Sequence, residues 1–376
     1  MSATAAVKGD IVELPATAQR PIRKAPVRKA LRIAQVAPLS ESVPPQLYGG
    51  TERVVATLSN ELVRQGHDVT LFASGDSQTT ARLVAPCPRG LRLSASPDPL
   101  AVHFYMIEKV AQHADEFDLL HFHIAPLHFS LARRISTPHV TTMHGRLDVP
   151  TIRPLYSEFA ELPFVSVSDA QRAPLPHQNW VDTVYHGLPA TELRFHPEQG
   201  SYLAFLGRIA REKRPDRAIA IAKACGVKLK IAAKVDPSDV DYFTSEIEPL
   251  LDHPLVEFIG EIGEGEKSEF LGHARALLFP IDWPEPFGLV MIESLACGTP
   301  VVAFRGGSVE EVIDHGVTGF VVDDLDQAIA ATRQVASLDR RACRQAFDER
   351  FSATRMVDDY VKVYTRLVSG VAHVGD

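Results

Sequence analysis

Short apolar runs alternate with longer amphipathic ones from Leu31 onward. Residues 31–37, 69–73, 119–124, 140–143 and 164–167 are apolar runs of strand length. Residues 51–65 carry apolar positions at helical spacing, and Gly66 follows as a C-terminal stop. Residues 179–187 read as a closing strand and turn. The pattern then restarts. Residues 202–206, 228–233, 256–259, 276–279, 301–304 and 320–322 are strand-like, 217–225 is a helix, and further helices separate the later strands. Alternation of this kind predicts parallel sheets covered by helices on both faces. Two such series predict an α/β protein of two Rossmann-like, open parallel-sheet domains. Open sheets take ligands at the carboxyl ends of their strands, so the expected site is the cleft the two domains face.

Residues 190–200, with Pro197 and Gly200, read as the linker, which gives an N-terminal domain over 31–189 and a C-terminal domain over 190–352. Residues 353–376 add a C-terminal helix whose apolar stripe (Met356, Val357, Tyr360, Val363, Tyr364) needs a partner, and the first domain offers one. Residues 1–30 hold Pro15, Pro21 and Pro26 and a basic cluster of Arg20, Arg23, Lys24, Arg28 and Lys29, with no apolar core of a signal peptide. They read as a disordered tail.

Composition changes the picture only by exclusion. The chain has 376 residues, 45% hydrophobic and 23% charged, which is ordinary for a globular protein and long enough for two domains. A net charge of −8 gives no reason to expect nucleic acid as a partner. Cys87, Cys225, Cys297 and Cys343 are widely spaced, as small buried thiols in a reducing compartment would be. No run is apolar enough to span a bilayer. The expected location is cytoplasmic, with peripheral contact at the inner membrane face allowed.

Candidate chemistry concentrates between Pro280 and Pro300. Glu285 and Glu293 lie eight positions apart, a helix begins at Gly288, and strand-like runs enter and leave. Backbone N–H groups of Gly288, Leu289 and Val290 at the helix start suit an anion such as a diphosphate. Glu285 precedes the helix and Glu293 is expected about two turns in. An isolated pair of this spacing reads as two surface glutamates. Gly207-Arg208 with Lys213 follows a strand, and two cations on one loop can clamp a diphosphate, although the stretch also fits a cationic surface loop. Gly49-Gly50 permits close backbone approach, with Thr51 as a candidate cap. His121, His123 and His144 sit at strand ends. His121 reads as a buried, satisfied histidine, His123 as either that or a ligand, and His144 as a hydrogen-bonding partner for a ligand hydroxyl. Asp239-Val-Asp241 and Asp324-Leu-Asp326 formally match a metal motif but read as helix caps. No metal or other cofactor is expected.

Together Tyr48-Gly49-Gly50, Gly66-His67-Asp68-Val69, Met143-His144-Gly145, Gly207-Arg208 with Lys213, Glu285 through Glu293, and Gly306-Gly307-Ser308 with Glu310 resemble glycosyltransferase family 4, retaining nucleotide-sugar enzymes of the GT-B fold. The resemblance implies that Arg208 and Lys213 hold the donor diphosphate, Glu293 the ribose hydroxyls and Glu285 the donor sugar. It implies that amides of Gly288, Leu289 and Val290 complete the pocket, that Gly50 approaches the diphosphate, and that His144 binds a sugar hydroxyl. It implies a UDP- or GDP-linked hexose donor and a carbohydrate, lipid or small-molecule acceptor, with no nucleic acid. Two departures stand out. Pro286 replaces a glycine between Glu285 and Phe287, and His186-Gly187-Leu188-Pro189 lacks the acid usual at the hinge. The competing readings are a nucleotide-sugar epimerase or hydrolase of the same fold, and a non-catalytic sugar-nucleotide-binding protein.

Overall fold

The computed structural model describes residues 30–46, 49–92, 94 and 98–371. Tyr48 and nearly all of the 1–30 tail lie outside the described residues.

The first sheet is built from β1 (Arg32–Val36), β2 (Asp68–Phe72), β3 (Arg82–Val84), β4 (Leu119–Phe122), β5 (His139–Thr142), β6 (Phe164–Ser166) and β7 (Trp180–Thr183). Its order is β3-β2-β1-β4-β5-β6-β7. The second contains β8 (Tyr202–Arg208), β9 (Leu229–Lys234), β10 (Val256–Gly260), β11 (Ala274–Phe279), β12 (Val301–Phe304) and β13 (Gly319–Val322), ordered β10-β9-β8-β11-β12-β13. Every pairing between these strands is parallel. Continuous apolar runs make this arrangement favourable. Ile33 pairs in register with Val69 and Leu119, and all three are buried. In each sheet the first strand is central and chain progression reverses beside it. A crevice therefore opens where the loops after β1 and β4, and after β8 and β11, diverge.

The segment between β2 and β4 was not legible in the sequence. It holds the three-residue β3 and a helix over Pro99–Gln112. That helix leaves Leu100, Phe104 and Tyr105 exposed, so its apolar residues do not mark a single inward stripe.

The C-terminal helix, Ala353–Val371, packs on the first sheet. Met356, Val357, Tyr360 and Tyr364 share a core with Ile33, Val54, Leu58 and Val140. Burial of side chains such as Met356 and Val357 is worth about 1.5–3 kcal/mol each. The chain thus crosses between the sheets twice. The crossings run together: Leu188 N–H donates to Phe351 O (2.9 Å) and Ala353 N–H donates to Leu188 O (2.9 Å). A Cβ on Gly187 would lie 2.3 Å from Ser352 O, so only glycine admits this approach. The hinge residues His186 to Pro189 carry no acidic side chain. Arg355 donates to the carbonyls of Tyr185 (2.8 Å) and His186 (2.9 Å) and pairs with Asp359 (3.2 Å).

Candidate active site between the two sheets

Strand ends from both sheets line a cavity of about 540 Å³. Gly50 and His144 come from the first half. Arg208, Lys213, Glu285, Gly288, Leu289, Val290 and Glu293 come from the second. These nine residues therefore border one space, large enough for a small organic ligand.

The Leu289–Ala296 helix points its N-terminus into this space. Gly288 is its cap residue with φ 79°, a left-handed conformation that suits glycine. Glu293 is the fifth residue of this eight-residue helix, just over one turn in and not two, because the helix begins only at Leu289. The loop before it is held from behind. Ser308 N–H donates to Glu285 O (3.0 Å) and Ser308 Oγ donates to Phe287 O (2.8 Å). A Cβ on Gly307 would sit 2.1 Å from Glu285 O. Across the cleft, Ser168 Oγ donates to Pro286 O (2.7 Å). This backing fixes Glu285 where Pro286 already stiffens the chain.

Lys213 ends a short helix after β8, and its ammonium pairs with Glu285 Oε2. Trp283 Nε1 donates to the same oxygen (3.0 Å), and Lys213 Nζ lies 4.6 Å from the Trp283 ring centre. Cation and carboxylate are thus aligned on one wall. Arg208, at the end of β8, faces three acids: Glu212 (2.5 Å), Asp239 (3.4 Å) and Asp236 (3.5 Å). This corrects the reading of Asp239 as a cap, since its side chain makes no capping hydrogen bond. Asp324 is a cap, accepting from Gln327 N–H (2.8 Å). Thr51 is not: the helix runs Gly50–Arg64 behind Gly49, with no side-chain cap.

The helix that follows Gly49 contributes a residue the sequence reading passed over. Arg53 is buried and reaches across the cleft to pair with Glu293. It also contacts Glu264 (2.9 Å) and Glu192 (3.9 Å). Lys267 completes the cluster, donating to Glu293 Oε1 (3.0 Å) and Glu264 (2.5 Å). Both cations meet Oε1 of Glu293, and Oε2 carries no hydrogen bond among the described residues. Burial, with Arg53 adjacent, pushes the Lys267 ammonium down to about 8. A basic residue in a helix's first turn, where the dipole favours acids, was the available signal for Arg53. Lys267 and Glu264 had none.

His144 ends a buried relay. Its Nε2 is 2.8 Å from His123 Nδ1, and His123 Nε2 is 2.8 Å from Gln35 Oε1. Gln35 Nε2 donates to the Tyr364 hydroxyl (3.2 Å), which lies 2.7 Å from His121 Nδ1. His121 Nε2 reaches Thr142 Oγ1 (2.7 Å). With Gln35 Oε1 accepting, His123 holds its proton on Nε2 and His144 donates from its own Nε2. That leaves His144 Nδ1 as an acceptor. Burial depresses every imidazole here, His144 to about 3, so the rings are neutral. His121 is a satisfied core histidine and His123 supports His144, outside the cavity lining. His186 stacks on His144, centroids 5.4 Å apart.

Two family models match the chain: "Glycosyl transferases group 1" over residues 193–349 and "Glycosyltransferase Family 4" over residues 48–241. A phosphatidyl-myo-inositol mannosyltransferase of Mycobacterium leprae is 26% identical over 356 residues, spanning 84% of this chain and 90% of that protein. The crystal structure of a glycosyltransferase involved in Avilamycin A biosynthesis superposes with a TM-score of 0.68 at 25% identity, covering 90% of this chain and 98% of that one. An Anabaena protein crystallised with UDP and glucose shares the fold, with a TM-score of 0.69 at 17% identity over 90% of this chain and all of that one.

Proposed function

The chain belongs to glycosyltransferase family 4 and is an enzyme that transfers sugar; we propose that it moves a hexosyl group from a UDP- or GDP-linked donor to an acceptor with retention of configuration. The observation that carries this reading is the convergence of Arg208, Lys213 and a helix N-terminus on one cavity that also holds Glu285 and Glu293.

The donor diphosphate would meet Lys213 and Arg208, taking up donors that Glu285, Glu212 and the Asp236–Asp239 pair now occupy. As the glycosidic C–O bond breaks, its electron pair leaves on the phosphate oxygen. The two cations and the amides after Gly288 stabilise that charge. The acceptor hydroxyl attacks from the same face and gives its proton to the departing phosphate. Glu285 lies beside the Lys213 ammonium, where it faces positive charge developing on the sugar. Glu293 Oε2 accepts from ribose hydroxyls, and neutral His144 accepts from a sugar hydroxyl through Nδ1. The positive charge at the diphosphate comes from side chains, so transfer is expected to survive EDTA.

The mycobacterial relative is named for phosphatidyl-myo-inositol. Leu100, Phe104 and Tyr105, exposed together on the Pro99–Gln112 helix, support an acceptor of lipid character met at a membrane surface. Among the described residues no helix is long and apolar enough to cross a membrane.

Thermal unfolding against a panel of UDP-, GDP- and ADP-sugars tests the donor, followed by nucleotide release with and without inositol or phosphatidylinositol vesicles. Stabilisation by a UDP- or GDP-sugar with acceptor-dependent release is expected. Release that ignores every acceptor would instead support a hydrolase.

A further inference from the structure

We propose a divalent transition-metal site of the zinc type, formed by His196, Glu269 and His273, where the segment joining the two sheets meets the Glu264–Gly272 helix. One donor atom from each residue lies within 4.8 Å of the others. Glu269 Oε1 is 3.8 Å from His196 Nε2, and Glu269 Oε2 is 3.4 Å from His273 Nδ1. Bonds of about 2.0–2.2 Å around a tetrahedral ion put its ligands roughly 3.4 Å apart. Glu269 and His273 are both exposed, so theirs are the side chains free to rotate toward such a geometry.

His196 is what distinguishes this cluster from a chance grouping. The residue is 7% exposed, yet its Nε2 has no hydrogen-bond partner and faces Glu269 and His273. A buried ring nitrogen without a partner is costly, and a metal ion would satisfy it. The ring is also fixed in place. A Cβ on Gly272 would lie 2.1 Å from His196 Cδ2, so the imidazole rests on the helix backbone. The main chain of His196 is held at both ends: its N–H donates to Cys297 O (3.1 Å), and its carbonyl accepts from Arg340 Nε (2.7 Å).

Glu269 and His273 stand four residues apart at the end of the helix, on one face. Two imidazoles and a carboxylate suit zinc, with cobalt, nickel and copper as competitors, and leave a fourth position for water. The same helix carries Glu264 and Lys267 at its cleft end. An ion at the other end would pin the connecting segment to it. No step of sugar transfer is routed through this site, and it is separate from the diphosphate position, where no metal is expected.

The test titrates the full chain, stripped with chelator, with Zn²⁺ by calorimetry and with Co²⁺ by visible absorption. One zinc per chain is expected. His273→Ala and Glu269→Gln, both at exposed positions, should weaken binding by more than about tenfold, a loss already produced when only a ligand's supporting partner is removed. The Co²⁺ bands should fade in both variants, while nucleotide binding stays at the wild-type level. Absence of a stoichiometric site overturns the proposal. So does undiminished affinity in His273→Ala, which would put the ion elsewhere, for example among the cleft histidines.

Discussion

Arg53 and Glu293 form a buried ion pair that ties the first sheet's leading helix to the Leu289–Ala296 helix of the second. The arginine sits one turn after Gly50, and the glutamate one turn after Gly288. Each helix therefore presents its N-terminus to the cavity and a side chain about one turn in to the other half. Glu293 can hold a ribose on Oε2 while Oε1 stays bound to Arg53 and Lys267. Breaking one side of a buried pair typically costs about 3–5 kcal/mol, because the remaining charge is stranded. Arg53→Ala should thus lower the urea unfolding free energy by up to that amount and weaken nucleoside diphosphate binding in calorimetry. Unchanged values for both would show that the pair orients nothing.

Lys213 carries the clearest catalytic expectation. It is held by Glu285 and Trp283 against the wall of the cavity. Removing a donor to charge that develops in the transition state is worth about 2.7–4 kcal/mol, or a factor of 10² to 10³ in kcat. Lys213→Ala should show that loss in steady-state turnover with little change in thermal midpoint. Turnover near wild type would remove the residue from the mechanism.

Tyr364 offers a test of the relay. Its hydroxyl joins Gln35 and His121 beneath His144, and Tyr364 does not line the cavity. In Tyr364→Phe, Gln35 loses an acceptor and is free to turn, and the His144 tautomer is no longer fixed. We expect kcat to fall several-fold while the Kd for nucleoside diphosphate, proposed to bind along the Arg208 and Lys213 wall, holds. A matched loss of both would mean that the substitution simply loosens the core.

The buried histidines also set a pH dependence. His121, His123, His144 and His186 are depressed by burial, and His128 falls to about 3 in contact with Thr141. In the unfolded chain they titrate at about 6.5. Below that pH the unfolded state binds more protons, so stability is present at neutral pH and is lost as pH falls. Glu52 and Glu192, pushed up by burial, act in the opposite direction. Urea unfolding between pH 6.5 and 5 should show a slope above about 2.7 kcal/mol per pH unit, equivalent to two protons. A slope below about 1.4 would contradict neutral burial of the cluster.

The sequence made the sheets legible because both are parallel and buried on two faces, which produces uninterrupted apolar runs such as those around Ile33 and Leu277. It made Glu285, Gly288 and Lys213 legible because loops at strand ends must use particular residues. Lys267 was not legible, and Arg53 showed only as a base in a helix's first turn, with nothing to name its partner. Their meaning comes from pairing with Glu293 across 240 and 26 positions, and no local pattern encodes such a partner. Asp239 was misread for the same reason, its role being set by Arg208 on a neighbouring strand.

The division of labour between the two glutamates tests the account most directly. Glu293 pairs with Arg53 and Lys267 and is proposed to meet the nucleoside end, whereas Glu285 pairs with Lys213, where the sugar is proposed to react. Loss of a charged acceptor to a ribose hydroxyl is worth about 1.5–3 kcal/mol of binding. Loss of a contact that strengthens in the transition state lowers kcat instead. Calorimetry with free UDP and GDP, paired with steady-state kinetics, should therefore find weakened nucleotide binding in Glu293→Gln. Glu285→Gln should bind nucleotide as the wild type does and transfer sugar slowly. Weakened nucleotide binding in Glu285→Gln with Glu293→Gln unaffected would place the donor in the reverse orientation and contradict the site described here.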